Sequence, residues 1–235
     1  MKRRRQVAAF ILAGGASSRM GRDKSLLDFG GVPLVVHTAR LIEPLVASVT
    51  VIGAPRRYAT TGLHAIADQD TAEQESNGIR RGPLAGIATA LASTRLPWNL
   101  IIACDLPYFS RAWLDWLLSR AILSRRQLVI PRSARGLEPL AALYRRECGG
   151  PIAAALDRGV RKVTDAIGEL RMEVVHPGEW RRLDPGALVL KNMNTPRDYD
   201  EARKWWRAER LREGNPIRKP RQARRRGSRA TTLQH

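Results

Sequence analysis

Residues 12–24 read Leu-Ala-Gly-Gly-Ala-Ser-Ser-Arg-Met-Gly-Arg-Asp-Lys. Gly14, Gly15 and Gly21 let backbone amides come close to an anion, and consecutive amides form a concavity that suits phosphate. Arg19 and Lys24 can add charge-assisted hydrogen bonds to the same phosphates. Two familiar phosphate loops do not fit. A P-loop needs lysine directly after glycine, and here two residues separate Gly21 from Lys24. The dinucleotide fingerprint needs a third glycine at a fixed offset, and the Gly14-Gly15 pair has none there. A basic surface turn is the bland alternative. It accounts poorly for a loop that follows the first apolar run of the chain, Val7 to Leu12.

A second chemical element is Asp105, which follows the apolar run Leu100 to Cys104. A carboxylate at a strand end is a ligand for a hard cation, and magnesium takes one or two carboxylates together with phosphate oxygens and water. The competing role for Asp105 is to cap the next turn. Gly82-Pro83-Leu84-Ala85-Gly86 opens a helical pattern, and its glycines permit close packing and backbone approach to a ligand. Asp68 ends the short run His64 to Ala67. Glu138-Pro139-Leu140 and Asn192-Met193-Asn194-Thr195-Pro196 are further polar segments, and helix capping alone accounts for the Thr-Pro pair.

The segment from Leu12 to Lys24 resembles the L-A-G-G-x-S-S-R-M-G-x-D-K signature of the molybdenum cofactor guanylyltransferases. Cys104-Asp105-Leu106-Pro107 resembles the C-D-x-P motif of that family, and Gly82 to Gly86 its G-P-L-A-G element. Glu138 to Leu140 and Asn192 to Pro196 are similar to its E-P-L and N-x-N-T-P segments, in matching order. The resemblance covers residues 7–206. It implies a fold of the nucleotide-diphospho-sugar transferase type. It also implies transfer of GMP from GTP to molybdenum-bound molybdopterin, with release of pyrophosphate. On this basis Arg19, Lys24 and Asp105 are catalytic. Leu12, Ala13, Gly14, Gly15, Lys24, Asp68, Gly82 and Asp105 bind nucleotide, Asn192 and Asn194 meet the pterin, and Asp105 holds Mg2+. Gly53 stands where some members carry asparagine, so any base contact there comes from backbone. Proteins that deliver the cofactor or receive it are further partners the resemblance brings into view.

Positioning such loops requires a sheet with its strand ends aligned. Apolar runs at Val7–Leu12, Ser48–Ile52, His64–Ala67, Leu100–Cys104, Gln127–Ile130, Leu140–Tyr144 and Ala187–Leu190 predict strands. Helical patterns fill Pro33–Leu41 and Pro83–Thr94, and another follows Ser110, a good N-cap. Thr195, Pro196 and Asp198 open a last helix with the pattern of a capping box, and Gly214 and Pro216 end it. This alternation predicts an α/β fold, a Rossmann-like three-layer sandwich with a mainly parallel central sheet. Ligands of such sheets bind beyond the carboxyl ends of the strands.

The formal charge is +19 over 235 residues, and much of it is terminal. Residues 2–5 carry four bases and residues 214–235 carry seven, with no acid in either, which leaves +8 for residues 6–213. The expected organisation is a basic extension at 1–5, a nucleotidyltransferase domain at 6–213 and a disordered basic tail at 214–235. The first apolar run enters a Gly-Gly loop with no cleavage site, so it reads as a core strand, not a secretion signal. No run reaches the roughly 20 residues of a membrane span. Cys104 and Cys148 are too few for a disulfide framework or zinc site, which suits a reducing cytoplasm. Two rival functions stand beside the guanylyltransferase. One is transfer of another nucleotide, either to the same cofactor by a cytidylyltransferase or to a sugar or other small-molecule phosphate. The other is nucleic-acid binding through the basic ends, which lack the interleaved aromatics that stack bases.

Overall fold

The computed structural model describes residues 6–13, 23–68 and 82–212. Gly14, Gly15, Arg19, the Asp70–Arg81 stretch, both basic extensions and the Gly214–Pro216 stop lie outside the described residues.

The first strand, β1 (Val7–Leu12), lies between two parallel neighbours, β2 (Ser48–Ile52) and β4 (Trp98–Ala103). Their registers align Leu12 with Ile52 on one side and with Ala103 on the other. Three strands therefore stop at one level and form a common rim. β3 (Ala65–Ile66) extends the parallel set beyond β2. On the far side of β4 come β7 (Ala141–Arg145), antiparallel to it, and then β5 (Leu128–Ser133). β5 pairs with the short β6 (Gly136–Leu137) and, in parallel, with β8 (Met172–Val175). The strands in the order β3-β2-β1-β4-β7-β5-β6 are mostly parallel, as expected, with β7 and the short β6 running antiparallel.

Alternation along β1 sends its side chains into two cores. Val7, Ala9 and Ile11 pack with α1 (Leu34–Ile42) and α4 (Arg111–Leu123) on one face. Ala8 and Phe10 pack with α3 (Pro83–Ala92) and α5 (Gly149–Asp157) on the other. Short helices α2 (Pro55–Tyr58), α6 (Val163–Ala166) and α7 (Pro177–Trp180) complete the layers before α8 (Pro196–Arg212). Every residue of β4 is buried, which is why its sequence is a nearly unbroken apolar run. None of the described helices is long and apolar enough to cross a membrane.

One expected strand is absent. Residues 187–190 form turns. Asp184 organises them, accepting Leu188 N at 2.9 Å and Val189 N at 3.0 Å, and Ala187 adopts φ 51°. Val189 and Leu190 are buried, so their apolar character reflects a folded-in loop and not a sheet position.

The last helix crosses back to the start of the chain. Trp206 lies over Gly30, where an added Cβ would come within 2.2 Å of the indole. Gly30 also has φ +70°, a conformation that strains side-chain-bearing residues. Gly30→Ala is therefore expected to cost about 1–3 kcal/mol in urea unfolding. Replacing Trp206 by Ala in the same chain should relieve the clash but keep the backbone strain, so the two changes should couple. Additive losses would mean that the two residues do not meet.

Candidate active site

The rim lies where the chain leaves β1 for β2 on one side and meets β4 on the other. This reversal of direction is the usual ligand crevice of an open parallel sheet. Cys104 N donates to Leu12 O at 3.1 Å, so the segment leading to Asp105 is tied to the end of β1. On the opposite side α3 leans on the same rim. A Cβ on Gly86 would lie 3.3 Å from Leu12 Cδ2 and 3.5 Å from Ile52 Cγ2, so glycine allows this close approach. Gly82, with φ +69°, turns the chain into α3.

Both stems of the glycine-rich loop are anchored. Tyr58 Oη donates to Ala13 O at 3.0 Å and lies 3.1 Å from Ser25 Oγ. Ser25 Oγ in turn donates to Asp23 Oδ1 at 2.6 Å, and Asp23 also caps the short 3-10 helix Lys24–Leu26. Burial pushes the Tyr58 hydroxyl up to about 12, so it stays protonated and keeps donating at neutral pH. This chain of contacts holds Lys24 at a fixed place on the rim.

Lys24 then reaches across 170 residues of sequence. Its Nζ donates to Asn194 Oδ1 at 3.1 Å and to Met193 O at 3.2 Å. Met193 N donates to the backbone oxygen of Asp105 at 2.8 Å. The segment 192–194 thus joins the end of the glycine-rich loop to the aspartate. Thr195 and Asp198 hold that segment from behind. Asp198 N donates to Thr195 Oγ1 at 3.1 Å, and Asp198 Oδ2 accepts from Thr195 N at 2.8 Å and from Asn194 N at 2.9 Å. The capping box expected from sequence is present and does two jobs, starting α8 and presenting the asparagines.

Asp105 is the carboxylate of this centre. Burial raises its pKa from 3.8, while the charges of Lys24 and Arg135 pull it down. Neighbouring Cys104 is raised well above its usual value, first by burial and then by Asp105 and Asp23, so it is a neutral thiol and no nucleophile. No group of three or more His, Cys, Asp or Glu side chains gathers for a metal among the described residues. A partly desolvated single carboxylate with two cations nearby fits a hard divalent ion that brings phosphate oxygens as its other ligands. It does not fit a cation caged by protein alone.

Of the residues expected from sequence, Leu12, Ala13, Lys24, Asp105, Asn192 and Asn194 come to this rim, while Gly82 caps the helix whose Gly86 packs on it. Asp68 follows β3 at the edge of the same parallel set, two strands away from β1. Glu138 is held by Ser133 Oγ at 2.5 Å and by Arg135 at 3.1 Å. Sequence reasoning passed over Tyr58, Ser25 and Arg135. None stands in a motif, and only the paired β5–β6 hairpin and the β1 rim reveal them.

Residues 9–172 match the model of the MobA-like NTP transferase domain family. The chain belongs to this family. A MobA-like relative, the molybdenum cofactor guanylyltransferase of Pseudomonas aeruginosa, is 34% identical over 187 residues, covering 79% of this chain and 89% of that one. Among solved structures, molybdopterin-guanine dinucleotide biosynthesis protein A from Archaeoglobus fulgidus aligns with TM-score 0.71 and 21% identity, over 86% of this chain and 99% of that one. The 2-C-methyl-D-erythritol 4-phosphate cytidylyltransferase of Thermus thermophilus aligns at TM-score 0.62 and 19% identity, over 86% and 99%. The MobA-like domain therefore shares its layered sheet with nucleotidyltransferases of different substrates.

Proposed function

We infer that this MobA-like transferase moves GMP from GTP to the terminal phosphate of molybdenum-bound molybdopterin and releases pyrophosphate. The single observation that carries the reading is the hub at 192–194, which ties Lys24 of the phosphate loop to Asp105. It gathers one cation and one desolvated carboxylate at the crevice of a nucleotidyltransferase sheet. The 34% identity to a named guanylyltransferase supports the choice of substrates.

In this reading an oxygen of the acceptor phosphate bonds to the α-phosphorus of GTP. The bond from that phosphorus to the β-phosphate oxygen breaks, and its electron pair leaves with pyrophosphate. The acceptor attacks as an anion, so no nucleophilic side chain is needed. The protein contributes position and charge. Leu12, Ala13, Gly14 and Gly15 offer backbone to the nucleotide, Gly82 the start of α3, and Asp68 an acidic contact farther along the rim. Lys24 and Arg19 take the triphosphate, and Asn192 and Asn194 face the pterin. Asp105 would hold Mg2+, which when bound neutralises charge on the triphosphate. The terminal basic segments are accessory to this chemistry, and a cytoplasmic reaction is consistent with its soluble substrates.

The test is to mix protein with magnesium, each nucleoside triphosphate in turn and the molybdenum-bound pterin, then measure pyrophosphate and dinucleotide. Product from GTP supports the reading. Preference for CTP would move the chain to cytidylyl transfer with the same chemistry. No product, together with DNA or RNA binding that weakens steeply with salt, would replace it with nucleic-acid binding.

A pH effect follows from Asp105. A cation competes with a proton for this carboxylate, and burial favours the proton. Divalent-ion affinity should be full above the raised pKa and fall as pH drops through it, earlier than for an exposed aspartate. Manganese titrations across pH, read by electron paramagnetic resonance, measure this. A profile without that proton linkage would place the ion elsewhere.

A further inference from the structure

Two cations act on Asp105 from different elements. Lys24 arrives from the β1 side and Arg135 from the turn between β5 and β6. Lys24 ends the loop that serves the donor triphosphate. Arg135 belongs to no phosphate motif, and its side chain is 56% exposed.

The bonding of Arg135 is one-sided. Its Nη2 donates to Leu190 O at 2.6 Å, to Asn192 Oδ1 at 2.9 Å and to Glu138 Oε1 at 3.1 Å. Its backbone N donates to Ser133 Oγ at 3.0 Å, which fixes the turn. One terminal nitrogen thus takes all the side chain's acceptors among the described residues. The other three N–H donors of the guanidinium, one on Nε and two on Nη1, have none there, and the Nη1 donors can meet a phosphate oxygen. An arginine offers only donors, so the amide of Asn192 must turn its oxygen to Arg135. The amide's NH2 end then has no partner among the described residues and is left for a ligand.

We propose that Arg135 is the acceptor-side cation of the transfer, binding the terminal phosphate of the acceptor through Nη1 while its Nη2 sets the orientation of Asn192. This rests on the nucleotidyl-transfer reading and adds to it the residue that receives the second substrate. The physical need is clear. An anionic phosphate must approach the anionic α-phosphoryl group, and a cation assigned to the donor cannot also escort the acceptor. Arg135 reaches Asn192 from the β5–β6 turn, whereas Lys24 reaches Asn194 from the loop after β1, and bonds to Leu190 and Asn192 hold the arginine in place. Glu138 accepts from Nη2, so it locates the guanidinium without occupying Nη1.

The experiment uses the full chain and its Arg135→Gln and Arg135→Lys variants. Steady-state rates are measured with molybdenum-bound molybdopterin varied at saturating GTP, and with GTP varied at saturating acceptor. Thermal unfolding is recorded for each, and acceptor binding without nucleotide is measured by calorimetry. The Gln variant should raise the acceptor KM by about 10-fold to 100-fold, as expected for a lost charged hydrogen bond, with the GTP KM within about twofold. The Lys variant should recover part of the loss, since it restores charge but not the planar fork. Calorimetry should show the same ranking. Parental acceptor KM in the Gln variant would overturn the proposal. So would a parallel loss of both KM values and of melting temperature, or failure of both variants to fold, since either leaves Arg135 as a staple only. If the parent itself makes no dinucleotide, it is the nucleotidyl-transfer reading that fails, a distinct result.

Discussion

Asp105→Asn should leave the chain folded and slow nucleotidyl transfer at least about 100-fold, a loss of several kcal/mol of charge stabilisation. The substitution keeps the size of the side chain and one oxygen but removes the charge that would hold Mg2+. Its scaffold survives because Met193 N bonds to the backbone oxygen of residue 105, not to the carboxylate. The sign of the stability change separates this from damage to the fold. Burial raises the folded pKa of Asp105 above 3.8, so the folded state binds this proton more tightly than the unfolded chain does. Folding stability therefore falls as pH rises through that raised pKa, and at neutral pH the ionised carboxylate destabilises the fold. Asparagine removes that cost, so the melting temperature at neutral pH should stay level or rise while activity collapses. A fall in both would assign Asp105 to structure. Near-parental turnover would remove it from the site.

The parts of this molecule that were legible in the sequence are those whose cause is local. Ser48–Ile52 is β-branched at every position from Val49 to Ile52 and is a strand with those bounds. Ser110 caps its helix by accepting Trp113 N, and Thr195 and Asp198 form the reciprocal box, because capping acts over three residues. What was hidden has distant causes. Gly149-Gly150-Pro151 looks like a helix breaker, yet α5 starts at Gly149. A Cβ there would lie 3.4 Å from Leu91, so the glycine lets α5 pack on α3, and burial of Ile152, Ala155 and Leu156 supplies what propensity lacks. β8 is four residues long and exists because β5 offers it an edge. Ala187–Leu190 was misread because apolar content alone cannot distinguish a strand from a buried turn gathered by Asp184. The site divides in the same way. Asp105 and Lys24 were marked by motif, but the bond from Lys24 to Asn194 spans 170 positions and Arg135 meets Asn192 across 57. Those pairings follow from sheet order, not from spacing.

Lys24→Met is expected to lower kcat/KM for GTP by about 100-fold to 1,000-fold, the range for losing a charged clamp on developing negative charge. Methionine keeps most of the apolar stem and deletes the ammonium, so packing changes little. Two consequences should accompany the rate loss. Met193 O and Asn194 Oδ1 lose their donor, so the 192–194 hub loosens on one side. Asp198 still holds Asn194 N and Thr195 N, and Arg135 still holds Asn192, so the segment should stay in place. The second consequence is electrostatic. Lys24 is the larger of the two charges that lower the pKa of Asp105, and with it gone burial is opposed less. The carboxyl should therefore titrate at higher pH than in the parent, and the pH at which divalent-ion affinity fails should move upward. A merely structural lysine would change stability without shifting that profile. Lys24→Arg keeps the charge and should leave the profile near its parental position, even if the larger fork binds phosphate differently. Manganese titrations across pH on parent, Met and Arg variants, beside their GTP kinetics, decide the matter. An unshifted profile with parental kcat/KM in the Met variant would detach Lys24 from both the triphosphate and Asp105.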